Sequence, residues 1–300
     1  MLQNQWSSPP VLSPQQLPGH ALGHGIDLYV LRLDTLHPQV SGNKWLKLYG
    51  WLQTNPSLAQ QGIITKGGAW SNHVHATAAW CKQHKTPFTV IIKAAAHTRT
   101  AMLDDVRQWG GNIIFSHRHE FYNDAHWQAL ADAQQQLYIP MGGDGPPGVK
   151  GVQAYFNQLT DFGVDAMWCA TGTGTTAAGI LQSALPFTHF HAVNPGIQDA
   201  TVDALLQTTA ATHQRQLHMH HLPNDRFGRC SNETIDYMLQ WQATTGLATD
   251  IMYTGKLLHA MQLYYAHGGI AAPQKILLIH TGGLQGNRSH PLLRVQSMGV

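Results

Sequence analysis

Residues 166–179 read Ala-Met-Trp-Cys-Ala-Thr-Gly-Thr-Gly-Thr-Thr-Ala-Ala-Gly, and this stretch decides the fold. Ala166–Cys169 is a short apolar run that reads as a buried strand. Behind it, Thr171-Gly172-Thr173-Gly174-Thr175-Thr176-Ala177-Ala178-Gly179 forms a glycine-rich loop opening a helix. Backbone amides of such a loop, backed by a helix N-terminus, cradle phosphate, and threonine hydroxyls add donors. A Rossmann loop would want an acidic residue about 20 positions later to hold a ribose, but Val193 and Asn194 stand there. A Walker A loop would need Gly-Lys-Ser/Thr, and no lysine is present. The pattern suits a lone phosphate monoester, with a plain tight turn as the alternative.

The same strand-then-helix unit recurs on both sides. Gly62–Thr65 leads to a helix from near Ser71, Phe88–Ile92 to one around Ala101–Trp109, and Asn112–Phe115 to one around Asp124–Gln136. Tyr138-Ile139-Pro140 and a glycine-rich turn precede a helix from about Val149. Leu28–Leu33 and Lys275–His280 are the first and last clear strands, the former entered through a Pro- and Gln-rich arm. Strands that alternate with helices and lack period-2 patterning indicate parallel sheets covered on both faces. Ligands of such sheets bind beyond the carboxyl ends of the strands, so the loops after strands carry the function.

Three further segments fit that rule. Ser41-Gly42-Asn43-Lys44-Trp45-Leu46-Lys47-Leu48 puts a lysine at a helix start beside another cation and apolar neighbours. That setting lowers an amine pKa, as Schiff-base chemistry requires, although a solvated helix face is the plain alternative. Lys66-Gly67-Gly68-Ala69-Trp70-Ser71-Asn72-His73 forms a tight strand-to-helix turn with Ser71 or Asn72 as the cap. Ile279-His280-Thr281-Gly282-Gly283, and Met252-Tyr253-Thr254-Gly255-Lys256 as a strand-like end before a helix, each deliver a hydroxyl to a strand terminus.

Composition narrows the partners. Three hundred residues suit one large α/β domain or two lobes. Hydrophobic residues make up 43% and mean hydropathy is −0.21, so a sizeable core can be buried in a soluble chain. Charged residues are only 11%, net charge is +2, and no Lys/Arg stripe or basic amphipathic helix is present. Nucleic acid and membrane surfaces are therefore not expected partners, whereas small, partly polar ligands are. Cys81, Cys169 and Cys230 form no CxxC pair and suit a reduced compartment. Met1–Trp6 lacks the basic and apolar regions of a leader and no run approaches a membrane span, so the expected location is the cytoplasm. Among 20 histidines, His218 and His220 would share one face of an extended segment, but no third ligand accompanies them. A neutral polar surface segment, with no metal, is the expectation.

Taken in order, Asn43-Lys44, Gly-Gly-Ala-Trp-Ser-Asn, Ile139-Pro140-Met141-Gly142-Gly143, the Thr/Gly loop, Tyr253-Thr254-Gly255-Lys256 and His280-Thr281-Gly282-Gly283 resemble one family. It is the fold-type II pyridoxal-phosphate enzymes, in the branch of D-cysteine desulfhydrase and 1-aminocyclopropane-1-carboxylate deaminase. The resemblance runs from about Leu31 to Gly283. It implies a two-lobed, three-layer α/β/α structure like the tryptophan synthase β chain, with mostly parallel sheets and pyridoxal 5'-phosphate in the cleft. Residues 1–47 plus 158–300 would form the large lobe and 48–157 a small one, able to close over substrate, in a homodimer.

The resemblance also implies roles. Lys44 looks like the lysine that carries the cofactor and shuttles the substrate's α-proton. Asn72 matches the contact to the cofactor's phenolic oxygen, and Ser71 a hydroxyl beside the substrate carboxylate. Gly172, Thr173, Gly174, Thr175 and Thr176 would hold the phosphate, and Thr254 and Thr281 face the pyridine nitrogen. Tyr253 supplies a phenol. Threonine at position 254, where the deaminase has glutamate, favours elimination of a good leaving group at Cβ over opening a cyclopropane. The expected products are an α-keto acid and ammonia, plus sulfide if the substrate is cysteine.

The substrate side departs from the family. Phe227, within Asp225-Arg226-Phe227-Gly228-Arg229, replaces a usual tyrosine and cannot move a proton. Leu46 replaces an arginine, Met141 a glutamate, and Arg229 is an added charge. The alternatives are therefore an amino-acid racemase, an aminocyclopropane-carboxylate deaminase-like activity, and a non-catalytic cofactor binder or histidine-rich metal protein.

Overall fold

The computed structural model describes residues 8–18, 22, 26–196, 199–222, 224–269, 274–291 and 293. Met1–Trp6, read above for a leader, lies outside the described residues. From the N-terminus, β1 (Gln15–Gln16) and β2 (Ile26–Arg32) precede α1 (Asn43–Thr54) and α2 (Pro56–Gln61). Then come β3 (Ile63–Gly68), α3 (Asn72–His84), β4 (Phe88–Lys93), α4 (Ala101–Gln108), β5 (Asn112–Ser116), α5 (Arg118–Phe121), α6 (Asp124–Ala133) and β6 (Leu137–Ile139). The chain continues through α7 (Pro146–Phe156), β7 (Ala166–Ala170), α8 (Thr175–Leu181), β8 (His189–Asn194), α9 (Ala200–Thr212) and β9 (Gln216–His221). It ends with α10 (Asn232–Thr245), α11 (Thr254–Ala266), β10 (Gln274–His280) and a 3-10 turn at Leu284–Ser289.

These strands form two sheets. One has the order β1-β2-β10-β7-β8-β9 and is parallel except for β1; the other, β5-β4-β3-β6, is parallel throughout. Alternation along the strands shows that both faces of each sheet are buried. On β10, Leu277 and Ile279 join one apolar cluster while Ile276 and Leu278 join another. On β4, Val90 and Ile92 face one cluster and Ile91 the other. Each such side chain contributes roughly 1.5–3 kcal/mol by burial, which is why the strands read as continuous apolar runs. The result is three-layer α/β/α packing with mostly parallel sheets, as the strand–helix alternation predicts. Helix α1 joins the two sheets' cores, because Leu46 packs with the larger sheet and Leu48 and Leu52 with the smaller.

Several boundaries differ from the sequence expectation. Helix α7 starts at Pro146 rather than near Val149, because prolines fill its first turn, where no N–H partner is needed. Met252-Tyr253 is not a strand end: it lies in a turn leading into α11. The segment expected to be a polar surface stretch is the edge strand β9. His218 and His220 stand beside His189 and His191 of β8, with Nδ1 of His189 and His191 at 3.1 and 2.9 Å from the paired Nε2 atoms. His191 stacks flat on Trp168 at 4.1 Å. Among the described residues no group of three His, Cys, Asp or Glu side chains has metal-holding geometry.

Candidate active site

A pocket opens where β7, β10, α1 and α3 meet, at the carboxyl ends of strands from both sheets. Its walls are Asn43, Lys44, Lys47, Asn72, Gly142, the loop Ala170–Gly174, Thr176, Tyr253, Thr281 and Gly282. Most residues singled out in the sequence therefore converge, although they come from separate segments.

Gly42 explains how α1 reaches the site. It has φ +70°, and a Cβ there would lie 2.0 Å from the Thr281 carbonyl oxygen. That close approach lets Asn43 N–H donate to Thr281 O at 3.1 Å, locking the start of α1 onto the end of β10. Asn43 then works in two directions. Its Nδ2 donates to Thr176 Oγ1 at 2.8 Å, and its Oδ1 accepts from Lys44 Nζ at 2.7 Å. Lys47, one turn further on, is 4% exposed and donates to Gly142 O at 3.2 Å.

The electrostatics are one-sided. Two lysines line the pocket and no carboxylate does. Burial lowers Lys44 to about 8, partly opposed by the charge of Asp250. Burial, with the charge of Lys44, lowers Lys47 to about 7. The Tyr253 phenol is pushed up by burial and by Asp250, so it stays protonated. His73, buried behind the lysines, is pushed down to about 3 by burial and by their charges. The Thr65 hydroxyl donates to Ile139 O at 2.8 Å, so His73 Nε2 donates to Thr65, and its Nδ1 is bare.

Other expected site residues stand outside the wall. Ser71 caps α3, its Oγ accepting from Val74 N–H at 3.2 Å. Thr175 Oγ1 donates to Asp144 Oδ1 at 2.5 Å and lies 2.8 Å from Thr173 Oγ1, so that hydroxyl pair turns toward Asp144. Thr254 is closed on Asp250, donating to Oδ1 at 2.7 Å and accepting from the Asp250 N–H at 2.7 Å. Asp250 also accepts from the N–H groups of Met252, Tyr253 and Thr254. Sequence reading missed this aspartate, although its place just ahead of a helix is a capping signal. Phe227 is 52% exposed, with its ring 6.4 Å from that of Tyr253.

The residues present suit a phosphorylated, anionic group. Thr171 Oγ1 is buried on the pocket wall with no partner among the described residues, which requires a ligand or water to complete it. Thr176 Oγ1 accepts from Asn43, leaving its proton for another acceptor. The Lys44 and Lys47 amines supply counter-charge when protonated. A lysine amine of lowered pKa beside such a cradle is the donor set that suits a phosphorylated aldehyde. Residues 10–282 match the pyridoxal-phosphate dependent enzyme family, and the chain belongs to it: this is a pyridoxal-phosphate-dependent enzyme.

Relatives agree with that placement. A Pyrococcus abyssi protein named as a candidate 1-aminocyclopropane-1-carboxylate deaminase is 25% identical, over 91% of this chain and 89% of its own. The Arabidopsis thaliana mitochondrial bifunctional D-cysteine desulfhydrase/1-aminocyclopropane-1-carboxylate deaminase is 25% identical, over 90% of this chain and 75% of its own. The crystal structure of an ACC deaminase homologue shares the fold, with TM-score 0.77 and 21% identity over 96% of this chain and 94% of that one. No helix among the described residues is long and apolar enough to cross a membrane.

Proposed function

We propose that the protein is a D-cysteine desulfhydrase-like lyase or deaminase, releasing an α-keto acid and ammonia from a small amino acid. The observation that carries this reading is Lys44: its amine, lowered to about 8, is held by Asn43 Oδ1 at 2.7 Å in a pocket with no carboxylate in its wall. Pyridoxal phosphate, when bound, supplies an electron sink for charge formed at the substrate Cα. Lys47, Thr171, Thr176 and the loop Gly172–Gly174 would hold its phosphate, with Thr175 fixing the loop from behind. Asn72 would donate to its phenolic oxygen, and Thr281 and Thr254 would lie toward its ring nitrogen.

The chain's own groups then divide the proton work. Lys44 Nζ, poised near neutral pH, can take and return a proton at the substrate Cα. Tyr253, held protonated by burial and by Asp250, would give a proton at Oη to a leaving group. Thr254 brings no charge of its own, its hydroxyl donating to Asp250 Oδ1 and accepting from the Asp250 N–H. That supports elimination of a good leaving group over chemistry needing a fully charged partner at the ring nitrogen. The division into lobes of residues 1–47 plus 158–300 and 48–157 belongs to the same proposal, supported by the segregation of the two sheets.

The test is borohydride reduction of the cofactor-loaded protein, with peptide mass mapping, followed by keto-acid assays on D- and L-cysteine and on the cyclopropane amino acid. The pyridoxyl mass on the Lys44 peptide and release of pyruvate, lost in Lys44→Ala, are the expected results. A label on another lysine, or unchanged turnover in Lys44→Ala, overturns the reading.

A further inference from the structure

Asn72 carries both a donor and an acceptor on one side chain, and only one of them suits an anionic oxygen. Which one the pocket meets is decided outside the pocket, in the 3-10 turn after β10. Gln285 Nε2 donates to Asn72 Oδ1 at 2.6 Å and to Trp70 O at 3.2 Å. A backbone carbonyl can only accept, so it is the Gln285 amide nitrogen that faces this corner. Arg288, which can only donate, lies on the other end of the amide, its NH2 group 3.4 Å from Gln285 Oε1 and its Nε donating to Gln285 O at 3.2 Å. Arg288 is itself pinned by Asp105 at 2.5 Å, and Asp105 is held by His75 at 3.1 Å. With both ends of Gln285 set by groups whose character cannot invert, Asn72 Oδ1 must turn toward Gln285. The Asn72 amide nitrogen is left on the opposite side, beside Gly283, where an added Cβ would lie 2.7 Å from it and 3.0 Å from Asp250 Oδ2, and Asn72 itself lines the pocket with Thr281 and Gly282.

We propose that Gln285 is a positioning residue of the cofactor site. It fixes the amide of Asn72 so that the pocket receives an N–H donor for an anionic oxygen. The inference rests on the assignment of Asn72 to the cofactor's phenolic oxygen. The donor is set by the chain Asp105–Arg288–Gln285–Asn72, which joins the 3-10 turn after β10 to α4 and to the start of α3. A reversed amide would present a carbonyl to that oxygen and repel it.

The experiment titrates cofactor-free protein with pyridoxal phosphate and records the visible band of the loaded protein against pH. The variants are Asn72→Ala, Gln285→Leu, Gln285→Glu and the double variant Asn72→Ala with Gln285→Leu, each checked for folding by thermal melt. A glutamate side chain keeps the size of Gln285 and its contact with Arg288 but cannot donate, so Gln285→Glu tests donation rather than packing. Each single change is expected to weaken cofactor affinity about fivefold to tenfold, the worth of one hydrogen bond. Each should also move the pH midpoint of the band in the same direction. In the Asn72→Ala background, Gln285→Leu should cost nothing more. If Asn72→Ala shifts both readouts while Gln285→Glu behaves as the parent, or if Gln285→Leu costs as much without Asn72 as with it, the inference is overturned and the site reading stands. If Asn72→Ala alone changes nothing, the cofactor assignment of Asn72 fails first.

Discussion

At the scale of single residues, Lys44 and Tyr253 are set apart by how burial acts on opposite charges. Burial disfavours the ammonium and the phenolate alike, so it lowers the lysine and raises the tyrosine. The lysine Nζ lies 5.8 Å from the centre of the Tyr253 ring, so one pocket holds a near-neutral base beside a protonated acid. Capture of pyridoxal phosphate requires the neutral amine. The capture rate of cofactor-free protein should therefore rise with pH and level off above about 8, followed as growth of the visible band in stopped flow. A midpoint near that of free lysine would show that the amine is not desolvated. Tyr253→Phe keeps the ring and removes the acid. It should leave cofactor loading intact while lowering keto-acid release by about 100-fold or more. Unchanged turnover would move the proton donor to another group.

At the scale of elements, the site depends on how closely α1 and α7 cross. A Cβ on Gly151 would lie 2.2 Å from Leu46 O, and one on Gly50 would lie 2.0 Å from Pro147 O. The two helices thus touch backbone to backbone, and Leu46 lies between the two pocket lysines on α1. Gly151→Ala should force them apart, at a cost of about 1–3 kcal/mol, and shift Lys44 and Lys47 as well. A lower Tm together with weaker cofactor affinity is the expected pair of results. Gly286→Ala is the control, since a Cβ there meets nothing within 4 Å; equal losses in both variants would rule out the crossing as the cause. The strand-and-glycine-loop pattern was legible because buried parallel strands are apolar throughout and their ends open into glycines. The strands β8 and β9 were hidden because His189, His191, His218 and His220 look like surface residues until the partner strand that satisfies them is in place. Asp250 and Gln285 act through contacts that leave no local periodicity. Lys47 was more readable, since three residues after Lys44 it must share that helix face.

At the scale of the whole molecule, histidines held neutral inside the fold make its stability depend on acid. His191 is fully buried and pushed down to about 2 by burial and by the neighbouring His218, His220 and His189; His73 is at about 3. Tyr264 of α11 packs edge-on against His191 and Trp168, Tyr265 packs against Trp168, and no carboxylate is among the groups acting on His191. Unfolded histidine titrates near 6.5, so below that pH the unfolded chain binds protons that the folded chain refuses. Stability is therefore full above about 6.5 and falls as pH drops, by about 1.4 kcal/mol per pH unit for each proton excluded. Asp105 acts in a lower window: burial pulls it up, but hydrogen bonds from His75 and Arg288 outweigh this and hold it at about 2. Its contribution is present above the ordinary aspartate value and is lost only below it. Urea unfolding between pH 7.5 and 4.5 should thus show a fall in stability that begins near pH 6.5. His191→Phe keeps a flat ring against Trp168 and removes one excluded proton. It should flatten that slope by about one proton's worth, whatever its absolute stability. An unchanged slope would place the acid sensitivity outside the histidine stack.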